Sequence, residues 1–472
     1  MATPIEVARV RAAAKDGRMA NVRFQQAQLA ALHDSLGAHR ADILAAVVAD
    51  NPRVNPTEAE VEFASALLDV RHAYTSLDLS TALATEYRIA RGESSPARRV
   101  GFGVVALRPT EHSRLFSIFS VVACALAAGN TVVVQDDTTK AVDRLLPTIL
   151  RVLDSEIYAL VDDLDSHRKV LSTALMVDQT GQLADGPCIR ARTDLPCAAL
   201  VDRTADADYA ARQICAARAA YGGGSPHHPR IVVVNEWVKQ PFVEALLRHS
   251  SSGRDVSRKE IAGKGKQVDM WMEEAERKGE INTIHGEGLT VLDIKAGTHT
   301  SQRLMQEGGG SPHLLLFTVT GLVDAVLTLD HRELLVAYLF STPDVAKYWS
   351  QQINSHATFA NHIPQSMLLG PALATDQSII PVDRRYTTWM LSRPRPEMIT
   401  TIQAGESELR KGHLLAALSK NVNQPLPKTG QGPGTSMGFF EQGIVVGFVF
   451  IVIPVVSVTG FSVWTLLTKG IF

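Results

Sequence analysis

Residues 124–134 read CALAAGNTVVV. Small and apolar residues that suit a helix run into a Gly-Asn pair, and a β-branched run follows at once. That is a buried helix stopping at a glycine and re-entering as a strand. The alternation continues outward on both sides. Residues 100–107 (VGFGVVAL) predict a strand and 116–128 an apolar helix, with a second strand at 132–134 and a helix over 140–153. Farther on, 198–201, 231–234, 314–319 and 335–340 predict strands, and 205–219, 237–247 and 322–329 predict helices. Strand and helix alternating at this spacing indicate a parallel α/β sheet. Before residue 80 the texture is helical instead, with Leu29, Leu32 and Leu36, then Ile43 and Val47, on helical spacing, and 58–70 as a further amphipathic helix.

At 472 residues the chain is too long for one simple core and suggests roughly two or three packed domains. A net charge of −2, with no Lys/Arg-rich block, gives no field for nucleic acid. The four cysteines, Cys124, Cys188, Cys197 and Cys215, form no CxxC pair and no zinc spacing. They read as reduced thiols in a cytosol-facing body, and no metal is expected. The N-terminal residues lack an apolar h-region, so no secretory signal is expected there.

The C-terminal residues 443–468 read GIVVGFVFIVIPVVSVTGFSVWTLLT, without a charge. As a helix this run would span about 39 Å, against a hydrocarbon core of about 30 Å. A Pro/Gly-rich stretch, NQPLPKTGQGPGTS at 423–436, precedes it and reads as a linker extending to 442. The expectation is a single-pass tail anchor, most simply in the endoplasmic reticulum, with the body facing the cytosol.

Several stretches resemble one family. RFQQAQLAAL (23–32) with HRADILAAVVAD (39–50) is similar to the opening helices of aldehyde dehydrogenases, nearest to the class 3 or fatty-aldehyde branch. CALAAGNTVVV is the most specific match, and RIVVVNEWVKQPFVEAL (230–246) and YLFSTPDVAKYWSQQINS (338–355) resemble later elements of the family. The resemblance implies an α/β fold: a Rossmann-like parallel-sheet nucleotide domain, an α/β catalytic-type domain and a small oligomerisation β-element. It divides the chain at 1–190, 191–385 and 386–422, before the linker 423–442 and the membrane helix 443–468. It also implies a homodimer, formed by a hairpin at 86–99 and a late strand within 386–395.

The family's chemistry, as the resemblance implies it, is covalent. A cysteine thiolate attacks the aldehyde, hydride passes to NAD or NADP, and a glutamate activates the water that releases the acid. An asparagine amide and the cysteine's own N–H hold the oxyanion. Counting from the matched motifs places His112 at the asparagine, or Glu111 with a shift of one, and Arg192 at the glutamate, with Asp194 close by. Pro226 falls at the cysteine, beside Ser225 as a weak substitute nucleophile. Proline has neither thiol nor N–H, and arginine stays protonated. Cys215 lies in a helix-like run, and His227 with His228 would face opposite ways in a strand, a poor metal pair. In QTGQLADG, Gly181 and Gly186 reproduce the family's pyrophosphate turn, but only 187–191 then precede Arg192, where the family has a helix. Gln135 replaces the ribose lysine, and the ribose glutamate falls at Gly308, with Glu307 one place off. The reading is a membrane-anchored, catalytically impaired relative acting as a scaffold for a protein partner. Its alternative is a divergent NAD(P)-dependent oxidoreductase for fatty or other lipophilic aldehydes, of a kind found in fungal metabolite pathways.

Overall fold

Five helices open the chain, and polar side chains cap the second, fourth and fifth of them. The five are α1 (Pro4–Ala13), α2 (Val22–Ala38), α3 (Arg40–Asp50), α4 (Pro56–Thr75) and α5 (Leu79–Glu86). Asn21 accepts from the amides of Arg23 and Phe24 to begin α2. Asn55 and Glu58 form a reciprocal capping box at α4, with Pro56 in the first turn. The computed structural model describes residues 4–182, 188–250, 274–295, 297–298, 304, 313–330, 332–374, 384–399, 415–416, 418–419, 422, 424–430 and 439–468. They fall in two units, Met1–Ile399 and Thr400–Phe472.

In the first unit, β2 (Val104–Arg108), β3 (Thr131–Gln135), β4 (Tyr158–Val161), β5 (Leu175–Asp178) and β6 (Cys188–Arg190) form a five-stranded sheet in the order β4-β3-β2-β5-β6. All its pairings are parallel. A seven-stranded sheet follows, in the order β13-β12-β7-β8-β11-β10-β9. Its members are β7 (Cys197–Val201), β8 (Ile231–Asn235), β9 (Ile281–His285), β10 (Thr290–Ile294), β11 (Leu314–Val319), β12 (Leu334–Phe340) and β13 (Ser355–Ala360). Only the edge pair β9–β10 is antiparallel. The parallel α/β architecture read from the sequence is therefore the one observed.

The residues ahead of Gly129 form α6 (Arg114–Ala127), and every one of its side chains is buried. It packs against α4 and α2 on one side and β2 and β3 on the other. The turn after it holds three segments together. Gly129 has φ +82°, and a Cβ there would lie 2.9 Å from the Met19 carbonyl, so only glycine fits. The Asn130 side chain accepts from the Gly103 amide at 3.0 Å and donates to the carbonyls of Ala125 at 3.2 Å and Leu391 at 2.9 Å.

The expected hairpin within 86–99 does not form. A 3-10 turn at Ile89–Arg91 ends at Gly92 with φ +79°, and the chain bridges instead from Ser95 to Glu397. β1 (Arg99–Gly101) then pairs antiparallel with β14 (Ser392–Pro394), so the two segments assigned to pairing between subunits pair with each other. His227 and His228 lie in the turn before β8, not in a strand. In the second unit a helix covers Phe439–Thr468 and continues through Pro454, so residues 439–442, assigned to the linker, are helical. Its stretch Glu441–Trp464, of mean hydropathy 2.6, is long and apolar enough to cross a membrane.

Replacing Asn130 by Ala leaves the Gly103 amide and the Leu391 carbonyl without their buried partner. We expect a loss of about 3 kcal/mol in unfolding free energy, read by urea titration, with the far-UV spectrum of the folded state unchanged.

Candidate active site

A cleft of about 750 Å³ opens between the α3–α4 loop, the loop from β2 to α6, and the turn at 221–224. Each wall is fixed by buried polar contacts. On the β2–α6 loop, Arg114 is paired with Asp143, which is 1 % exposed, and donates to the Pro109 carbonyl at 3.0 Å. On the turn, Tyr221 is held at φ +50°, its amide donating to Glu58 at 2.8 Å and its carbonyl accepting from Asn51 at 3.3 Å. A left-handed tyrosine costs on the order of 1–3 kcal/mol, and these two bonds are what hold it. Its ring stands edge-on to His112 at 6.1 Å. Gly224 closes the gap, since a Cβ there would come within 3.1 Å of His112 Nδ1.

His112 faces the Leu368 carbonyl through Nε2 at 2.9 Å. A carbonyl only accepts, so Nε2 carries the proton and Nδ1 is left as an acceptor. Burial pushes the ring down to about 4, so it is neutral at pH 7; the Leu368 bond opposes this and Arg385 adds to it. A second group in the cleft was not legible as a site residue. Glu62, on α4, is 3 % exposed, and its carboxylate accepts from the Phe116 amide at 3.3 Å at the start of α6. Burial raises it to about 7, against the pull of the Phe116 and Leu115 amides, with Asp50 adding repulsion.

No protein-family profile matches the sequence, and no curated protein matches it either. Solved structures do. The AldH protein of Staphylococcus aureus has a TM-score of 0.64 at 16% identity, over 85% of this chain and 95% of that one. The aldehyde dehydrogenase KauB from Pseudomonas aeruginosa gives 0.63 at 13%, over 83% and 87%. A NAD-dependent benzaldehyde dehydrogenase from Corynebacterium glutamicum gives 0.56 at 16%, over 83% and 90%. The fold is that of an aldehyde dehydrogenase.

Within that fold the positions found by counting are partly brought together. His112 and the 224–226 turn do meet, because Gly224 packs on the His112 ring. Ser225 does not serve the cleft: it is 0 % exposed, and its Oγ accepts from the His227 amide at 3.2 Å. Pro226 fills the next place, its carbonyl accepting from Cys197 Sγ at 3.5 Å. Arg192 is not in the cleft wall. It pairs with Asp194 at 2.9 Å and Glu333 at 3.1 Å, which raises the guanidinium further and holds Asp194 below the usual carboxylate range. Asp194 is thus the counter-ion of Arg192. None of the four cysteines lines the cleft. Burial raises Cys124, Cys197 (to about 12) and Cys215 (to about 11), the reverse of what a thiolate nucleophile needs.

The resemblance also assigns a cofactor to the five-stranded sheet, at Gln135 and at the turn with Gly181 and Gly186. β5 and β6 are parallel neighbours joined by the nine residues 179–187, whereas a parallel crossover ordinarily takes about a dozen or more, with a helix. Gly181, at φ +76°, lies where a Cβ would meet Thr193 Oγ1 at 2.5 Å and the Ala191 carbonyl at 2.8 Å, so close packing explains this glycine. Gly186, Glu307 and Gly308 lie outside the described residues. Gln135 accepts from Arg108 Nε at 3.1 Å, and Arg108 in turn pairs with Asp165 at 2.8 Å. Asp136, Asp137, Asp162 and Asp163 follow the ends of β3 and β4, a poor setting for a pyrophosphate. These residues do not fit a dinucleotide. Among the described residues no group of three or more His, Cys, Asp or Glu is placed to hold a metal ion.

His227 is 0 % exposed, and neither ring nitrogen has a hydrogen-bond partner. Burial, with Arg385, His112 and His228 nearby, holds it well below 6.5. A histidine depressed on folding binds fewer protons folded than unfolded, so its stabilisation is present above pH 6.5 and lost as pH falls. His112 and His228 act in the same direction, while the raised Glu62 acts oppositely, losing stability as pH rises toward 7. We expect the melting temperature to fall on acidification below pH 6.5. Replacing His227 by Leu removes the orphaned nitrogens. That variant should gain about 1 kcal/mol at pH 7 and show a shallower decline in acid, both read by melting curves across pH.

Proposed function

We propose that this chain is a pseudoenzyme: an aldehyde dehydrogenase fold retained as a scaffold for a protein partner and tethered to a membrane by its C-terminal helix. One observation carries the reading. Where the covalent chemistry needs a thiol, the turn at the cleft has Pro226 after a buried Ser225, and no cysteine lines the cleft. Without the thiol there is no hemithioacetal to pass hydride, whatever else the site holds. Arg192, bound to two carboxylates, accepts no proton from water. The short β5–β6 crossover and the Arg108–Gln135 contact support the same reading for NAD and NADP, which we expect not to bind.

The alternative, an oxidoreductase for fatty or lipophilic aldehydes, meets a polar wall. Asp50, Arg53, Glu62, Glu111 and Lys140 all line the cleft, and an alkyl chain there would strip charges of water without replacing it. The tether is most simply an endoplasmic reticulum tail anchor with the body in the cytosol. It rests on the uncharged run at 443–468 and the apolar helix over Glu441–Trp464.

The full-length protein in detergent, given a long-chain aldehyde with NAD or NADP, should show no nicotinamide reduction above the no-enzyme rate. Turnover that scales with protein concentration would overturn the pseudoenzyme reading. Carbonate extraction of expressing cells tests the anchor: full-length chain should stay with the pellet, and a chain ending at residue 438 should leave it.

A further inference from the structure

We propose that the cleft between the α3–α4 loop and α6 binds a small organic ammonium ion, a primary amine, with Glu62 as its counter-ion. Glu62 is buried and lines the cleft; its carboxylate is met by the backbone amides of Phe116, at 3.3 Å, and Leu115, and no cation pairs with it among the described residues. The cations of the wall are already matched. Lys140 lies 3.7 Å from Glu111, Arg114 is held by Asp143, and Arg53 is itself engaged. The second inner carboxylate, Asp50, spends both oxygens on the amides of Ala141 and Val142, at 2.6 and 3.0 Å. Among the described residues the wall therefore contains a buried carboxylate that has backbone amides for partners and no cation of its own.

Left alone, that group takes up a proton near neutrality, because burial without a counter-ion disfavours its charge. An ammonium group supplies the missing charge and keeps the carboxylate ionised. The remaining N–H bonds have a polar lining to meet, since His112, whose Nδ1 is an acceptor, and Tyr221 line the same cleft. A volume of about 750 Å³ accommodates a small molecule. An anion would face Asp50, Glu62 and Glu111 together, and a neutral chain would leave Glu62 as it is. The charged and titratable groups around Glu62 are Asp50 from α3, Glu58 on its own helix, His112 and Arg114 from the β2–α6 segment, and Tyr221 from the turn.

The inference goes beyond the scaffold reading. Measured aldehyde turnover would leave it standing, and a failed titration would leave the scaffold reading untouched. The test is isothermal titration of the full-length protein in detergent with butylamine, butan-1-ol and butyrate. Butylamine alone should bind, releasing protons, with affinity rising roughly fivefold from pH 6 to pH 7 and levelling above that. Glu62→Gln should lose at least about tenfold in affinity together with the pH dependence, while Glu111→Gln keeps both. Should Glu62→Gln fail to fold, proton release by the unaltered protein, measured in buffers of different ionisation enthalpy, decides the matter. Equal binding of butan-1-ol, binding without proton release, or no butylamine binding at millimolar concentration each overturns the proposal.

Discussion

A helix buried on every face must have its end groups satisfied from within the protein, because no water reaches them. α6 is such a helix, and much of the first unit is organised around meeting that demand. At its C-terminus the Gly129 turn and the Asn130 side chain close the last carbonyls and join β2 and the segment before β14 to the same point. At its N-terminus Ser113, in a left-handed conformation, makes no side-chain cap. The carboxylate of Glu62 reaches across from α4 to take the Phe116 amide instead. A negative group there also meets the favourable end of the helix dipole.

The cleft follows from that arrangement. α4 supplies the cap through Glu62, and one turn earlier on the same helix Glu58 accepts from the Tyr221 amide. That bond holds the strained turn, which brings Gly224 onto the His112 ring. On the far side Arg385 donates to the carbonyls of Met367 and Leu369, at 2.7 and 3.0 Å, and so fixes the segment whose Leu368 carbonyl takes the His112 proton. The hydrogen-bond character of His112 is therefore set by a remote arginine and a backbone carbonyl. An amide at this position would present a donor to the cleft, whereas this imidazole presents a lone pair.

The parts of the fold that repeat a simple pattern were legible in the sequence. Residues 131–135 and 231–235 declare themselves as strands through consecutive valines, and Gly129-Asn130 declares the turn. Counting pointed to His112 and to the turn at 224–226, and Gly224 of that turn packs on the His112 ring. Glu62 was not legible. In the sequence it is one acid among several on an amphipathic helix, and only the all-apolar α6 opposite explains why it turns inward. Ser225 misled for the converse reason: a serine in a glycine-rich turn reads as accessible, yet here the His227 amide takes its oxygen. The 86–99 hairpin failed because pairing partners far apart in sequence leave no local mark, and Ser95 found Glu397.

The positions that the resemblance aligns with the family's site are held by contacts particular to this chain. Each has been drawn into a contact of its own. Arg192 joins Asp194 and Glu333, and Glu333 is further bonded to His356 at 2.7 Å. A glutamate at 192 would set three carboxylates around the place of one guanidinium, and repulsion would push the new acid toward its protonated form, the wrong state for a base. Gly181 is committed to its approach to Ala191 and Thr193.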